Sequence, residues 1–224
     1  MLNEKGCLFF KSVFTQEIIE DFNQDVRDFM VKNQIYTHLK KRLDVQEETF
    51  YVNNTYSSLN SFQKIQYYYL PVIDNRGSYN RINEVGMIDF YNVIKIFPNI
   101  TQYFNVELMQ TLLKKITGTQ WKLFRCNLQL CSNVANPYSF HSDNQIKCIR
   151  ITIYLSDIEE ESYGPPVYIE NTHNNINDIK NENIKIFTGN KGDILIAYQS
   201  GLHCKLPQKI NTTVGFLTFN FVPV

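Results

Sequence analysis

Apolar residues follow two rhythms along this chain, and the change between them falls near residue 120. Before it the spacing is helical. Ile18, Ile19, Phe22, Val26, Phe29 and Met30 recur every three or four positions, with Glu20, Asp21, Asp25 and Lys32 on the other side. That pattern predicts an amphipathic helix of roughly 17 residues, capped by Thr15. A second helix is predicted over "NVELMQTLLKKITG", with Leu108, Leu112, Leu113 and Ile116 on one side and Gly118 as its stop. Ahead of both, "GCLFFKSVF" reads as a short strand. From residue 121 the period drops to two. "WKLFRCNLQL", "CIRITIYLSD", "PPVYI", "NIKIF", "GDILIAY" and "TVGFLTFNFV" read as successive strands, separated by Asn, Gly, Pro and acid-rich turns. In the second of these, Ile149, Ile151, Ile153 and Leu155 share one face, and Cys148, Arg150, Thr152 and Tyr154 the other.

Helices followed by a run of strands predict an α+β fold, a β-sandwich or jelly roll backed by N-terminal helices. No repeat or linker interrupts it, so residues 1–224 read as a single domain. Residues 1–120 supply helical support and a variable substrate or lid region, and 121–224 the strand-rich core. The stretch from 35 to 85 is polar, aromatic and weakly periodic. It is either a long functional loop or a set of irregular strands.

Composition narrows the function. The 224 residues suffice for one sizeable core. A formal net charge of zero argues against nucleic-acid and membrane-surface partners, which need a basic excess. No apolar run approaches the roughly 18 residues of a membrane span, and "MLNEKGCLFF" carries an acid and lacks the apolar core of a signal peptide. Five cysteines, an odd number with no CxxC pair, read as reduced thiols of a cytoplasmic protein. Oligomeric state has no signature here.

Chemistry concentrates at "SFHSDNQ". His141 and Asp143 stand two apart at the entrance to a strand, and extended backbone turns both to one face, where they can reach one ion. A third ligand then has to come from a distant strand. Of the histidines that follow, His203 ends "GDILIAYQSGLH", an apolar strand and a turn. Two His and one carboxylate, with three coordination positions open, suit non-heme Fe(II) that activates oxygen. The alternative is a surface His–Asp pair that binds nothing. His173 reads as a loop-ordering residue and His38 as a surface residue.

Several ordered segments resemble the phytanoyl-CoA dioxygenase-like family of Fe(II)/2-oxoglutarate-dependent oxygenases. They are "GCLFFKSVFTQEIIEDF", "GMIDFYN", "FHSDNQIKCIRITIYLSDIEEESYGPPVYIENTH" and "GDILIAYQSGLHCKLP". The resemblance implies a double-stranded β-helix, with His141, Asp143 and His203 as iron ligands. It implies Fe(II), 2-oxoglutarate and molecular oxygen as reactants, and a hydroxylase acting on a small-molecule or carrier-bound substrate with release of succinate and CO2.

One position departs from the family. An Arg usually follows the distal His by about ten residues and holds the far carboxylate of 2-oxoglutarate. Here that position is near Thr213, and no Lys or Arg follows Lys209. A carboxylate in an apolar pocket still needs a cation or several donors. Strand parity favours Arg150, whose guanidinium can grip a carboxylate with two parallel bonds; Lys205 and Lys209 are the alternatives. Asn127, Tyr154 and Thr212 or Thr213 are further candidate donors. Arg76 and Arg81 either meet a substrate anion or stay solvated. Two other classes stay open: a cupin-like metalloenzyme that does not use 2-oxoglutarate, and a non-catalytic jelly-roll binding protein.

Overall fold

A computed structural model of the chain describes residues 1–32, 65–67, 87–132, 134, 137, 140–143, 147–176, 179–209 and 213–224. The helix predicted after Thr15 forms as α2 (Gln16–Lys32), behind a short α1 (Leu2–Lys5) and strand β1 (Cys7–Phe10). Thr15 Oγ1 accepts from the Ile18 amide at 3.4 Å, and the buried stripe is Ile19, Phe22, Val26 and Met30. Two single-turn helices, α3 (Val93–Ile96) and α4 (Ile100–Tyr103), lead to α5 (Val106–Thr117). Asn105 caps α5 through the Leu108 amide, and Gly118 ends it at φ 76°, a left-handed turn that glycine makes without steric penalty.

The buried face of α5 differs from the one the spacing predicts. Met109 and Leu113 are buried, Leu112 and Ile116 pack beside them, and Leu108 is 66% exposed. Leu108 sits in the first turn, to one side of the stripe at positions 109, 112, 113 and 116, which repeats at helical spacing and meets the sheet.

The remaining elements are strands: β2 (Ile65–Tyr67), β3 (Met87–Tyr91), β4 (Trp121–Ser132), β5 (Ile149–Tyr154), β6 (Pro166–Ile169), β7 (Ile184–Ile186), β8 (Ile194–Tyr198), β9 (His203–Lys205) and β10 (Thr213–Pro223). Among the described residues they form two antiparallel sheets, ordered β1-β8-β5-β10-β4-β3-β2 and β7-β6-β9. Alternation gives the large sheet two faces. Ile149, Ile151, Ile153, Cys126, Leu128, Leu217 and Phe219 pack against the helices. Tyr154, Leu195, Ala197, Cys131 and Phe216 form a second cluster with Tyr168 of the small sheet. The space between the sheets therefore holds the polar positions of β4, β5 and β10.

Phe22 anchors the helical layer. It is fully buried, with edge-on contacts to Phe97, Tyr103 and Phe104 at 5.7, 6.1 and 5.4 Å between ring centroids. Phe22→Ala should lower stability by about 3–5 kcal/mol, read as a drop in the urea midpoint. A loss below about 1 kcal/mol would mean that α2 is not part of the cooperative core.

Among the described residues, no helix is long and apolar enough to cross a membrane. All five cysteines are free thiols. His38, Arg76, Arg81, Thr212 and most of the 35–85 stretch lie outside the described residues.

Candidate active site

The HxD segment is laid across the start of β9. The His141 amide donates to the His203 carbonyl at 3.0 Å, and the His203 amide donates back at 2.9 Å. The Asp143 amide donates to the Gln199 carbonyl at 3.0 Å, and the Ser142 hydroxyl to the Ser200 carbonyl at 3.1 Å. Ser142 thus pins the segment to the β8–β9 turn, and its two neighbours meet His203.

His141 Nε2 lies 3.9 Å from Asp143 Oδ1, His203 Nε2 lies 3.7 Å from Asp143 Oδ2, and the two imidazole centroids are 4.6 Å apart. One donor atom from each residue falls within 4.8 Å of the others. Two ligand atoms about 2.1 Å from an ion and at right angles to each other lie about 3 Å apart. A small closure of the side chains would bring these three atoms around one ion.

The protonation of His203 follows from its partner. Nδ1 lies 2.9 Å from the Gly201 carbonyl oxygen, which can only accept, so Nδ1 carries the proton. Nε2 is left with a bare lone pair, and it is buried with no hydrogen-bond partner. A buried, unsatisfied acceptor is costly. An imidazole with one nitrogen held by a backbone carbonyl and the other open is also how metal-binding histidines are oriented.

Arg150 reaches the same carboxylate. Its Nη2 donates to Asp143 Oδ2 at 2.7 Å, and its Nε donates to Asn220 Oδ1 at 3.0 Å, the cross-strand neighbour on β10. Burial pushes the Asp143 carboxyl pKa up, but His203, Arg150 and His141, the two histidines when their rings are protonated, reverse this and hold it well below the usual carboxylate range.

A cavity of about 150 Å³ runs between the sheets from this cluster. Its volume is below that of a drug-sized pocket and suits a small diacid. Phe216 and Thr218 of β10 line it. Asn220 meets Arg150 at the cluster, Thr218 pairs with Thr152 in the middle, and Phe216 lies under Lys205 at the far end. Lys205 Nζ is 4.5 Å from the Phe216 ring centroid and 2.7 Å from Cys131 Sγ. The walls include Thr152, Thr218, Gln129, Gln199, Leu195 and Ala197. Gln199 Oε1 is a second buried acceptor without a partner. Sequence alone does not single out Gln199, Phe216 or Thr218. Thr152 is signalled by its two-residue step from Arg150, whereas Thr218 becomes visible only through the β5–β10 register.

His141, Asp143, His203, Arg150 and Lys205 thus meet around one space, with Arg150 bonded to Asp143 rather than standing at the far end of the cavity. Four other candidates lie outside the lining. The Tyr154 hydroxyl donates to the Phe187 carbonyl at 2.7 Å and the side chain is fully buried. Asn127 Oδ1 accepts from the Asn92 amide at 3.3 Å. Lys209 is exposed on the loop after β9, and Thr213 is exposed with its hydroxyl 2.5 Å from that of Ser132. His173 Nε2 meets the Asn3 carbonyl at 3.1 Å and the ring stacks on Tyr198, so it orders the N-terminus.

No protein-family model matches the chain, and no curated protein does. Solved structures do match. HygX from Streptomyces hygroscopicus, solved with nickel and 2-oxoglutarate bound, is 10% identical at a TM-score of 0.66, covering 100% of this chain and 85% of HygX. EvdO2 from Micromonospora carbonacea var. aurantiaca is 11% identical at 0.65, covering 100% and 89%. SnoK, a non-heme alpha-ketoglutarate-dependent carbocyclase from nogalamycin biosynthesis, is 10% identical at 0.64, covering 98% and 80%. At these identities the likeness is one of architecture: the chain has the fold of non-heme 2-oxoglutarate-dependent enzymes.

Proposed function

We propose that the chain is a non-heme Fe(II)/2-oxoglutarate-dependent oxygenase. It is a single domain whose two sheets form a double-stranded β-helix, and it hydroxylates a small-molecule or carrier-bound substrate with release of succinate and CO2. The observation that carries this reading is the His203 ring, with Nδ1 on the Gly201 carbonyl and a bare, buried Nε2 turned toward Asp143. His203 and His141 would hold the iron through ring nitrogens, and Asp143 through Oδ1. Arg150 occupies Oδ2 at 2.7 Å and so fixes which carboxylate oxygen is left for the metal. Iron held by two His and one carboxylate leaves three positions for cosubstrate and oxygen and supplies the oxidising power of the reaction.

The cavity supplies the rest of the cosubstrate site. Among the described residues, its lining cations are Arg150 and Lys205. Arg150 lies against a metal-ligand carboxylate, so it can meet only the near end of a diacid chelated at the metal. Lys205 stands two residues beyond His203 on β9, about 7 Å along the same face of the strand. A five-carbon diacid anchored beside His203 extends toward it. We therefore assign the distal carboxylate to Lys205, with the Thr152 and Thr218 hydroxyls alongside. Lys205 lies over Phe216 on β10, the final strand, where the resembled family carries its Arg. The apolar ring leaves room for a cation arriving from the opposite sheet.

HygX has also been solved with hygromycin B bound, and the similar SnoN is an epimerase. These neighbours support a small-molecule substrate, and they show that the fold accommodates more than one outcome. Hydroxylation is our default assignment, and Asp143, by keeping a carboxylate where a halide would have to bind, argues against halogenation. The free thiols support a cytoplasmic site of action. Calorimetric titration of 2-oxoglutarate into anaerobic protein tests the reading. Binding should require a divalent metal such as Mn(II). Equal binding without metal, or none with it, would favour a cupin-like metalloenzyme instead.

A further inference from the structure

We propose that Lys205 and Cys131 form an oxidation-sensitive modification site, in which dioxygen joins Lys205 Nζ and Cys131 Sγ through one oxygen atom into a covalent N–O–S bridge. The two atoms are 2.7 Å apart. That is the length of a short hydrogen bond to oxygen, and sulfur is the larger atom. Two single bonds meeting at a bent oxygen span about the same separation. The atoms come from opposite sheets, Cys131 on β4 and Lys205 on β9, so strand backbone on both sides holds them in register. The Gln208 side-chain amide donates to the Cys131 carbonyl at 3.3 Å and fixes that side further.

Access and selectivity fit as well. Cys131 is fully buried in the inner cluster, and Lys205 lines the cavity through which oxygen would enter. Among the described residues, Cys131 is the cysteine whose sulfur has a lysine amine within hydrogen-bond distance.

The step balances with dioxygen as oxidant. One ammonium, one thiol and one O2 give the N–O–S bridge, one water and one proton. An N–O and an O–S bond form, N–H and S–H bonds and the O–O bond break, and nitrogen and sulfur each lose two electrons. Thiol reductant returns the amine and thiol with loss of water. The consequence rests on the assignment of Lys205 to the distal carboxylate. The bridge removes that cation, so oxidised protein should bind 2-oxoglutarate roughly 10²–10³-fold more weakly. An oxygen-consuming site would then be silenced when oxygen outlasts cosubstrate.

The test is intact-mass and peptide analysis of full-length protein kept in air, with and without dithiothreitol. The expected product is heavier by one oxygen and lighter by two hydrogens, and it links the Cys131 and Lys205 peptides. It should vanish on reduction and be absent from Cys131→Ser and from Lys205→Arg, the second of which keeps the charge and the buried thiol. A wild-type protein whose Cys131 stays free in air overturns the proposal. So does oxygen on Cys131 alone that persists in Lys205→Arg. Cosubstrate affinity is read separately on fully reduced wild type. A bridge that forms while reduced Lys205→Arg and Lys205→Ala bind 2-oxoglutarate as wild type overturns the switch through Lys205 and leaves the crosslink standing.

Discussion

His203→Ala should abolish iron-dependent turnover and leave a folded protein. The ring contributes one corner of the three-donor cluster, and among the described residues His141 is the one other histidine in it, already used at its own corner. Activation by a bound metal supplies several kcal/mol of rate acceleration, and each 1.4 kcal/mol is about tenfold, so the loss should reach roughly 10³-fold or more. The structural loss is small by comparison. The ring is 15% exposed and makes one backbone hydrogen bond, through Nδ1 to Gly201. Its removal forfeits that bond but also deletes a buried Nε2 that has no partner. A stability change of about 1–2 kcal/mol follows, well short of unfolding. His141→Ala should behave alike. Wild-type iron affinity and turnover in either variant, measured beside its thermal midpoint, would remove the triad.

Lys205→Ala should raise the 2-oxoglutarate requirement by roughly 10²–10³-fold with iron affinity nearly unchanged. Its ammonium lies over Phe216 at 4.5 Å, on β10 as is Asn220, the partner of Arg150, and truncating one partner of a desolvated ion pair typically costs about 3–5 kcal/mol. Lys205→Arg should recover part of the affinity, because the charge returns on a longer, planar head. Arg150→Ala should give the opposite split. Arg150 touches the carboxylate that would hold iron, and loss of such an outer partner typically weakens metal binding about 10–100-fold. Titrating iron and 2-oxoglutarate separately against both variants distinguishes the roles. If Arg150→Ala carries the cosubstrate loss and Lys205→Ala is silent, the orientation of the cosubstrate is reversed.

The contrast between these two cations shows how far a sequence can be read. Parity along "CIRITIYL" correctly puts Arg150 on the inner face with Thr152 and Tyr154, since one face of that strand is wholly isoleucine. Parity does not say how far along the face each residue lies from the metal cluster. That comes from the register, Asn220 opposite Arg150 and Phe216 opposite Tyr154, which pairs strands some 70 residues apart in the chain. Tyr154 fails as a ligand for the same reason, being deep enough to bond Phe187. Lys205 carries little signal because β9 has three residues, too few for alternation to register. The proximity of His141, Asp143 and His203 was legible because local pattern places each part: a two-residue step for His141 and Asp143, and a strand followed by a turn for His203. The α2 helix was legible from Thr15 and a long apolar stripe, whereas the first turn of α5 misplaced Leu108 because apolar character alone does not fix a helix's rotation. The narrower resemblance to the phytanoyl-CoA dioxygenase-like family has no family-model match beside it. At 9–11% identity the structural neighbours carry fold and not substrate.

The central claim is that His141, Asp143 and His203 hold Fe(II) with two adjacent positions open to 2-oxoglutarate. The most direct measurement is the visible spectrum of the wild-type protein under strict anaerobic conditions. Stoichiometric Fe(II) alone should leave it featureless. Addition of 2-oxoglutarate should bring up a weak metal-to-ligand charge-transfer band that saturates at one equivalent, and His203→Ala should show none. A wild-type protein that takes up Fe(II) at this site and binds 2-oxoglutarate, yet develops no such band, would contradict chelation at the metal and with it the proposed chemistry.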